Sequence, residues 1–231
     1  SRGLNAIARR IETEKEYIAF NFCTTAYSGP VQVEGRYFNV EKIPGKGWKA
    51  VNPETGCGDV RVRGKILSNE YYELKFDKDW NISRLYDKKR KRDVFRQGCA
   101  GNVLEVHEDY PPGYYDGWEL RSYHNEKIWE MSGAEAEFFD EGARKGFLIK
   151  KHFSDSSVTQ KICLYDHFPR IDFETEADWH DEHKCLKTRF PLDINASKAT
   201  YDIQFGNVER ATTRNNSWEM AKFEVCGHKF A

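Results

Sequence analysis

The sequence predicts a mainly β protein: a large antiparallel β-sandwich with a short helix at its start. Three observations carry this prediction. Apolar and polar residues alternate with a period of two through most of the chain after residue 17. Clusters of Gly, Pro and Asp separate the alternating runs, and only one segment has helical spacing. The 231 residues suit one large β domain or two small ones and can bury a core without a disulfide scaffold.

The helical segment comes first. Leu4, Ile7, Ala8 and Ile11 fall at i, i+3, i+4 and i+7, and Arg9 to Glu16 supply a charged face. A single amphipathic helix has nothing of its own kind to bury against, so residues 1–16 read as the end of a helical region. Residues 17–67 form a small β segment and residues 68–231 a β-sandwich domain. In the latter, Tyr72, Leu74 and Phe76 alternate with Glu73, Lys75 and Asp77. Phe147, Ile149 and Phe153 share a face that Lys151 interrupts. Val158, Gln160, Ile162 and Leu164 form the next run. Ile171, Phe173, Thr175, Ala177 and Trp179 oppose four acidic residues, and Tyr201, Ile203 and Phe205 oppose Asp202 and Gln204. Each is a strand with one dry and one wet face, as in antiparallel sheets. The turn signals are Ser28-Gly29-Pro30, Pro44-Gly45, Asp77-Lys78-Asp79 and Pro111-Pro112-Gly113. Strands follow one another without intervening helices, which excludes βαβ units.

Composition removes several classes of function. Lys+Arg is 36 against Asp+Glu 37, so nothing draws the chain to nucleic acid or an anionic membrane. No apolar run approaches the roughly 18 residues of a bilayer span. Aromatics at 14% argue against disorder. Six cysteines (Cys23, Cys57, Cys99, Cys163, Cys185, Cys226) are widely scattered without a CxxC, which favours free thiols in a reducing, cytoplasmic compartment.

Few motifs survive weighing. His180-Asp181-Glu182-His183 has the HxxH spacing, but residues i and i+3 on a strand point to opposite sides, so a polar hairpin loop is favoured over a metal site. The basic run Lys88 to Arg92, flanked by Asp87 and Asp93, reads as a solvated turn. Dinucleotide, Walker and nucleophile-elbow motifs do not occur, and 37 carboxylates leave a glycosidase pair impossible to single out. The most unusual stretch runs from Asp109 to Trp118: three tyrosines, a tryptophan and carboxylates on a loop stiffened by Pro111 and Pro112. Such rings can stack on sugar C–H faces beside a carboxylate that accepts hydroxyl hydrogen bonds, or simply cover the end of a sandwich; both readings stand. A second polar loop, Thr212 to Trp218, reads more readily as a buried hydrogen-bonded loop.

Four ordered stretches resemble the C-terminal β region of glycoside hydrolase family 38 α-mannosidases, of the cytosolic and bacterial branch. They are Leu85-Tyr86-Asp87-Lys88 with Arg92-Asp93-Val94; Gly101-Asn102 through Glu108-Asp109-Tyr110-Pro111 to Tyr115-Asp116-Gly117-Trp118-Glu119-Leu120; Arg170 to Thr175 through Asp178-Trp179-His180; and Ala199 to Gly206, Val208-Glu209-Arg210, Arg214 to Trp218 and Phe223 to Lys229. The match is good from about Ser68 onward and looser before. The resemblance implies a supersandwich of the galactose-mutarotase type, cut inside its β region at the C-terminus.

It also implies a longer parent, with an α/β barrel and a helical bundle carrying the zinc ligands and the aspartate nucleophile of a retaining α-mannosidase. No catalytic residue, metal ligand or cofactor is then expected in this chain; zinc belongs to the parent. The expected partners are that barrel and bundle and a mannose-containing oligosaccharide, with no nucleic acid and no membrane. The substrate-binding candidates are Tyr114, Tyr115, Asp116 and Trp118 at the rim of the sugar pocket, with Arg214 and Trp218 behind them. The alternatives are a free-standing carbohydrate-binding sandwich and a scaffold without a sugar role.

Overall fold

The computed structural model describes residues 2–52, 58–110 and 120–231. Helix α1 (Arg2–Ala8) precedes β1 (Tyr17–Asn21), β2 (Tyr27–Val33), β3 (Arg36–Ile43) and β4 (Gly47–Val51). Here β1 pairs with β4 and β2 with β3, both antiparallel. A five-stranded meander follows: β5 (Arg61–Arg63), β6 (Ile66–Ser68), β7 (Tyr72–Phe76), β8 (Ile82–Asp87) and β9 (Arg92–Asp93). Next come β10 (Val103–Glu108), β11 (Ile128–Glu130), β12 (Ser132–Asp140), β13 (Arg144–Phe153), β14 (Ser156–Tyr165), β15 (Phe168–Asp178) and β16 (Lys184–Arg189). β12 to β15 form a four-stranded sheet in sequence order, while β10 lies between β11 and β16 in a three-stranded one. The hairpin of β17 (Lys198–Ile203) and β18 (Gly206–Ala211) and helix α2 (Ser217–Ala221) complete the chain.

The predicted alternating runs are strands, and their dry faces meet. Leu67, Leu74, Phe76 and Ile82 of the five-stranded side pack against Phe147, Ile149, Ile162 and Leu164 of the four-stranded sheet. That contact is the sandwich. Leu67, Leu74, Ile82, Ile162 and Leu164 are fully buried, and each such burial is worth about 2 kcal/mol relative to exposure. A second cluster, Leu104, Val106, Met131 and Val158, fastens the three-stranded sheet to β14. The first β segment joins the sandwich at Tyr37 and Gly142. Gly142 has φ +84, and a Cβ there would lie 2.6 Å from the Tyr37 carbonyl oxygen, so only glycine fits.

Two helical expectations need correction. The periodicity predicts a helix reaching past Ile11, but α1 stops at Ala8 and tightens into i→i+3 bonds, Arg10 N–H to Ile7 O and Ile11 N–H to Ala8 O. It buries no residue, and Ile7 is 52% exposed. Seven residues, none of them buried, do little to offset the cost of nucleating a longer helix. Conversely, the loop Thr212 to Trp218 runs into α2. Asn216 Oδ1 accepts the Glu219 N–H at 3.0 Å, and the Glu219 carboxylate reaches back to Asn215 N–H at 2.7 Å and Thr213 Oγ1 at 2.9 Å. This resembles a capping box, with Glu219 reaching the N–H one residue before the Asn216 cap. The loop is hydrogen-bonded as expected, but it is exposed rather than buried.

Candidate functional site

The aromatic and carboxylate loop leaves the end of β10 and returns at a 3-10 turn, Ser122–Asn125. Tyr114, Tyr115, Asp116 and Trp118 lie outside the described residues. The stem that holds them is described. Asp109 N–H donates to His183 O at 2.9 Å. Tyr123 Oη donates to Tyr110 O at 2.8 Å, joining the two arms. The Tyr110 ring meets His183 edge-on with centroids 4.4 Å apart, and Lys127 Nζ donates to Glu108 Oε1 at 2.8 Å.

Beneath this stem lies a buried imidazole pair that sequence reading did not single out. His124 is fully buried and His107 is 3% exposed. His107 sits on β10, where the strand period turns it to the face opposite Val106. Its Nδ1 lies 3.2 Å from His124 O, and the two rings stand 5.3 Å apart. His124 Nδ1 is 2.6 Å from Arg121 O, so that nitrogen carries the proton. His124 Nε2 lies 3.1 Å from Glu224 Oε1, and Lys187 Nζ contacts both. Burial pushes the Glu224 carboxyl up, but the hydrogen bond and charge of Lys187, with His124, more than offset this and hold it below the usual range. On the far side Glu105 sits 3.4 Å from His107 Nε2 and 2.8 Å from Arg189 Nε, and Arg189 continues to Glu130 at 3.0 Å. These polar groups satisfy one another. Chemically the arrangement is a clamp: it ties together β10, β16, the 3-10 turn and Glu224.

The remaining two candidates are described. Arg214 is exposed and precedes α2, while Trp218 lies on α2 and is 80% exposed. Neither is tied to the stem by a described hydrogen bond; the C-terminal residues that reach it are Phe223, whose ring packs 5.6 Å from His124, and Glu224. His180 and His183 sit in the β15–β16 turn, His180 paired with Asp178 at 2.9 Å, which agrees with a polar loop. The basic run occupies the β8–β9 turn, with Arg90 held by Asp87 at 2.9 Å.

Among the described residues one group, Asp59, Glu70 and His167, brings ligand atoms within 4.8 Å of one another. Both Asp59 oxygens already accept backbone N–H groups, from Glu70 at 2.6 Å and His167 at 2.8 Å, and the other two side chains are about half exposed. The carboxylate is engaged as a tie between turns, which does not fit the enclosed donor set of a catalytic zinc. Cys23, Cys99, Cys163, Cys185 and Cys226 are free thiols; Cys57 lies outside the described residues. Burial pushes the Cys163 thiol up to about 12, so it packs rather than reacts. A polar groove of about 680 Å³ runs between β3–β4 and the β12–β13 and β14–β15 turns, lined by Arg36, Tyr37, Asn39, Lys145 and Asp166 among others. Of the described candidates, neither Arg214 nor Trp218 lines it.

Known proteins carry the same domain. Residues 67–231 match the family described as "Glycosyl hydrolases family 38 C-terminal domain". Alpha-mannosidase G of Dictyostelium discoideum is 29% identical over 209 residues, 87% of this chain and 19% of that protein. Human alpha-mannosidase 2C1 is 32% identical over 203 residues, 81% of this chain and 19% of that protein. The crystal structure of an alpha-mannosidase from Enterococcus faecalis V583 superposes with a TM-score of 0.59 at 11% identity, covering 91% of this chain and 30% of that one, which is a likeness of fold. The chain thus spans about a fifth of the length of the curated relatives it matches. With most of its length matched, the chain belongs to glycosyl hydrolase family 38, as the C-terminal domain.

Proposed function

We propose that this chain is the non-catalytic β domain of a zinc-dependent, retaining α-mannosidase that removes terminal α-mannosyl residues. It buttresses a barrel that carries the metal and the reactive carboxylates, and it lends residues 114–118 to the rim of the sugar pocket. The observation that carries this is the stem: Tyr110 after β10 and Tyr123 of the 3-10 turn are joined by a hydrogen bond next to a buried His107–His124 pair, on either side of the aromatic and carboxylate stretch in the sequence. A fixed stem sets where a connecting segment starts and ends, which lowers the ordering cost of a site built on it. The relatives' names support the mannoside class, and five free thiols among the described residues support a reducing, cytoplasmic setting.

In this reading Tyr115 and Trp118 stack on the sugar, and Asp116 accepts a hydroxyl hydrogen bond that strengthens as the ring distorts. Arg214 and Trp218 stand behind them. The test is kinetic. In the full-length enzyme, Asp116→Ala and Tyr115→Ala should each lower kcat/KM about tenfold or more, as expected when one transition-state hydrogen bond is lost. Unchanged kinetics in both variants would remove the loop from the site.

A further inference from the structure

Lys151 stands in a position that ordinary packing does not explain. It follows Phe147 and Ile149 on the core face of β13, opposite Val158, and it is only 2% exposed. An ammonium has three donor hydrogens, yet among the described residues its hydrogen-bond partner is a single acceptor, Asn81 Oδ1 at 2.5 Å. A buried cation satisfied once costs stability. Burial lowers the Lys151 pKa, toward the neutral amine, against the opposing pull of Asp77, Asp79 and Glu130.

Asn81 is equally enclosed, 5% exposed, in the turn that enters β8. Asp77 holds that turn: its Oδ1 accepts the Asn81 N–H at 2.9 Å, and its Oδ2 lies 3.3 Å from Asn81 Nδ2. Trp80 roofs the same turn, with its ring 4.9 Å from Phe147 and 5.6 Å from Phe76. A buried amine, a carboxamide against it and a carboxylate on the departing nitrogen are the three parts of an amide-exchange reaction, within a shell of apolar side chains.

We propose that Lys151 and Asn81 become joined in the folded protein by an isopeptide bond between Lys151 Nζ and Asn81 Cγ. Asn81 Cγ lies one C=O bond, about 1.2 Å, beyond the oxygen that Nζ already touches. The Nζ lone pair attacks Cγ, and the proton Nζ sheds passes through Asp77 Oδ2 to Nδ2. The Cγ–Nδ2 bond breaks and Nδ2 leaves as ammonia. Primary amine and primary amide give secondary amide and ammonia, so no oxidant or cofactor is consumed. The product removes the buried charge and its unsatisfied donors, and it stitches β13 of the four-stranded sheet to the turn before β8 of the five-stranded one.

Intact-mass measurement of the denatured, purified protein tests this directly. The expected mass is about 17 Da below that of the sequence, one ammonia, with proteolysis releasing a branched peptide that carries Lys151 and Asn81. Lys151→Arg should restore the full mass. Asp77→Asn should restore it too while keeping the circular dichroism of the parent protein. Full sequence mass in the unsubstituted protein would overturn the proposal. So would a deficit confined to a linear peptide that hydroxylamine cleaves at Asn81, which marks a succinimide. A deficit that persists in Asp77→Asn would overturn the proton path assigned to that carboxylate.

Discussion

Arg144 shows how one side chain can hold several elements. It is 3% exposed, its Nε donates to Glu141 Oε2 at 2.8 Å, its Nη2 reaches Glu174 at 3.2 Å, and its guanidinium lies 4.2 Å over the Tyr37 ring. Burial alone would lower its pKa, but the carboxylates of Glu174 and Glu141 and the Tyr165 hydroxyl raise it, so it stays charged. Removing it strands Glu141, which also binds Lys161, and frees the Tyr37 face of the first β segment. Arg144→Ala should cost about 3 kcal/mol in urea unfolding, and Arg144→Lys should recover only part of that, since an ammonium cannot fork to two carboxylates and stack. A loss below about 1 kcal/mol for Arg144→Ala would place the ion group among ordinary surface pairs. A second residue binds the C-terminal segment. Asp202 Oδ1 accepts the N–H groups of His228 and Phe230, each at 3.1 Å, and of Lys229. Burial pushes this carboxyl up, yet the three donors more than offset it and hold its pKa below the usual 3.8. A depressed folded pKa stabilises above the unfolded value and loses that contribution as pH falls through the folded one. Amide protection at residues 228–230 should therefore hold at neutral pH, fade below pH 3.8, and be missing at all pH values in Asp202→Ala.

At the scale of elements, the contrast between β7 and α1 is decisive. Leu74 is fully buried at the centre of the five-stranded sheet, whereas Ile7 is 52% exposed on a helix that buries nothing. Leu74→Ala should cost about 3 kcal/mol with an unchanged urea slope, and Ile7→Ala less than about 0.5 kcal/mol. Equal losses at the two positions would mean that α1 is packed. The same contrast explains what was legible in the sequence. The run Tyr72 to Phe76 announces itself because the pleat gives it one dry and one wet face. The apolar stripe of Leu4, Ile7 and Ala8 is a real pattern, but a pattern needs a partner to become a long helix. α2 went unread because five residues are too few for a period; its only sequence sign is the capping pair Asn216 and Glu219. The His124 clamp was invisible for a different reason. Its partners Lys187 and Glu224 lie 63 and 100 residues away, and no local spacing encodes a meeting at that distance.

At the scale of the molecule, the arrangement of charge says what kind of part this is. Retaining glycoside hydrolysis needs two carboxylates about 5–5.5 Å apart, one of them poised as an acid and both open to the sugar. Among the described residues several enclosed carboxylates are engaged by cations: Glu105 with Arg189, Glu141 with Arg144 and Lys161, Asp166 with Lys145, Asp172 with Arg170. Such pairing keeps a carboxylate occupied, which suits structure rather than proton transfer. The chain's share of about a fifth of the Dictyostelium and human relatives leaves room for a separate catalytic part in a parent protein. The purified chain should accordingly release no product from an aryl α-mannoside, with or without added zinc, and calorimetry with mannose oligosaccharides should register no heat above dilution, because half of the proposed pocket belongs to the barrel. Measurable heat without turnover would favour the free-standing carbohydrate-binding sandwich, with residues 114–118 sufficient as a site. Zinc-dependent turnover by the chain alone would overturn the buttress reading altogether, since it would demand a metal centre and an attacking carboxylate within these strands.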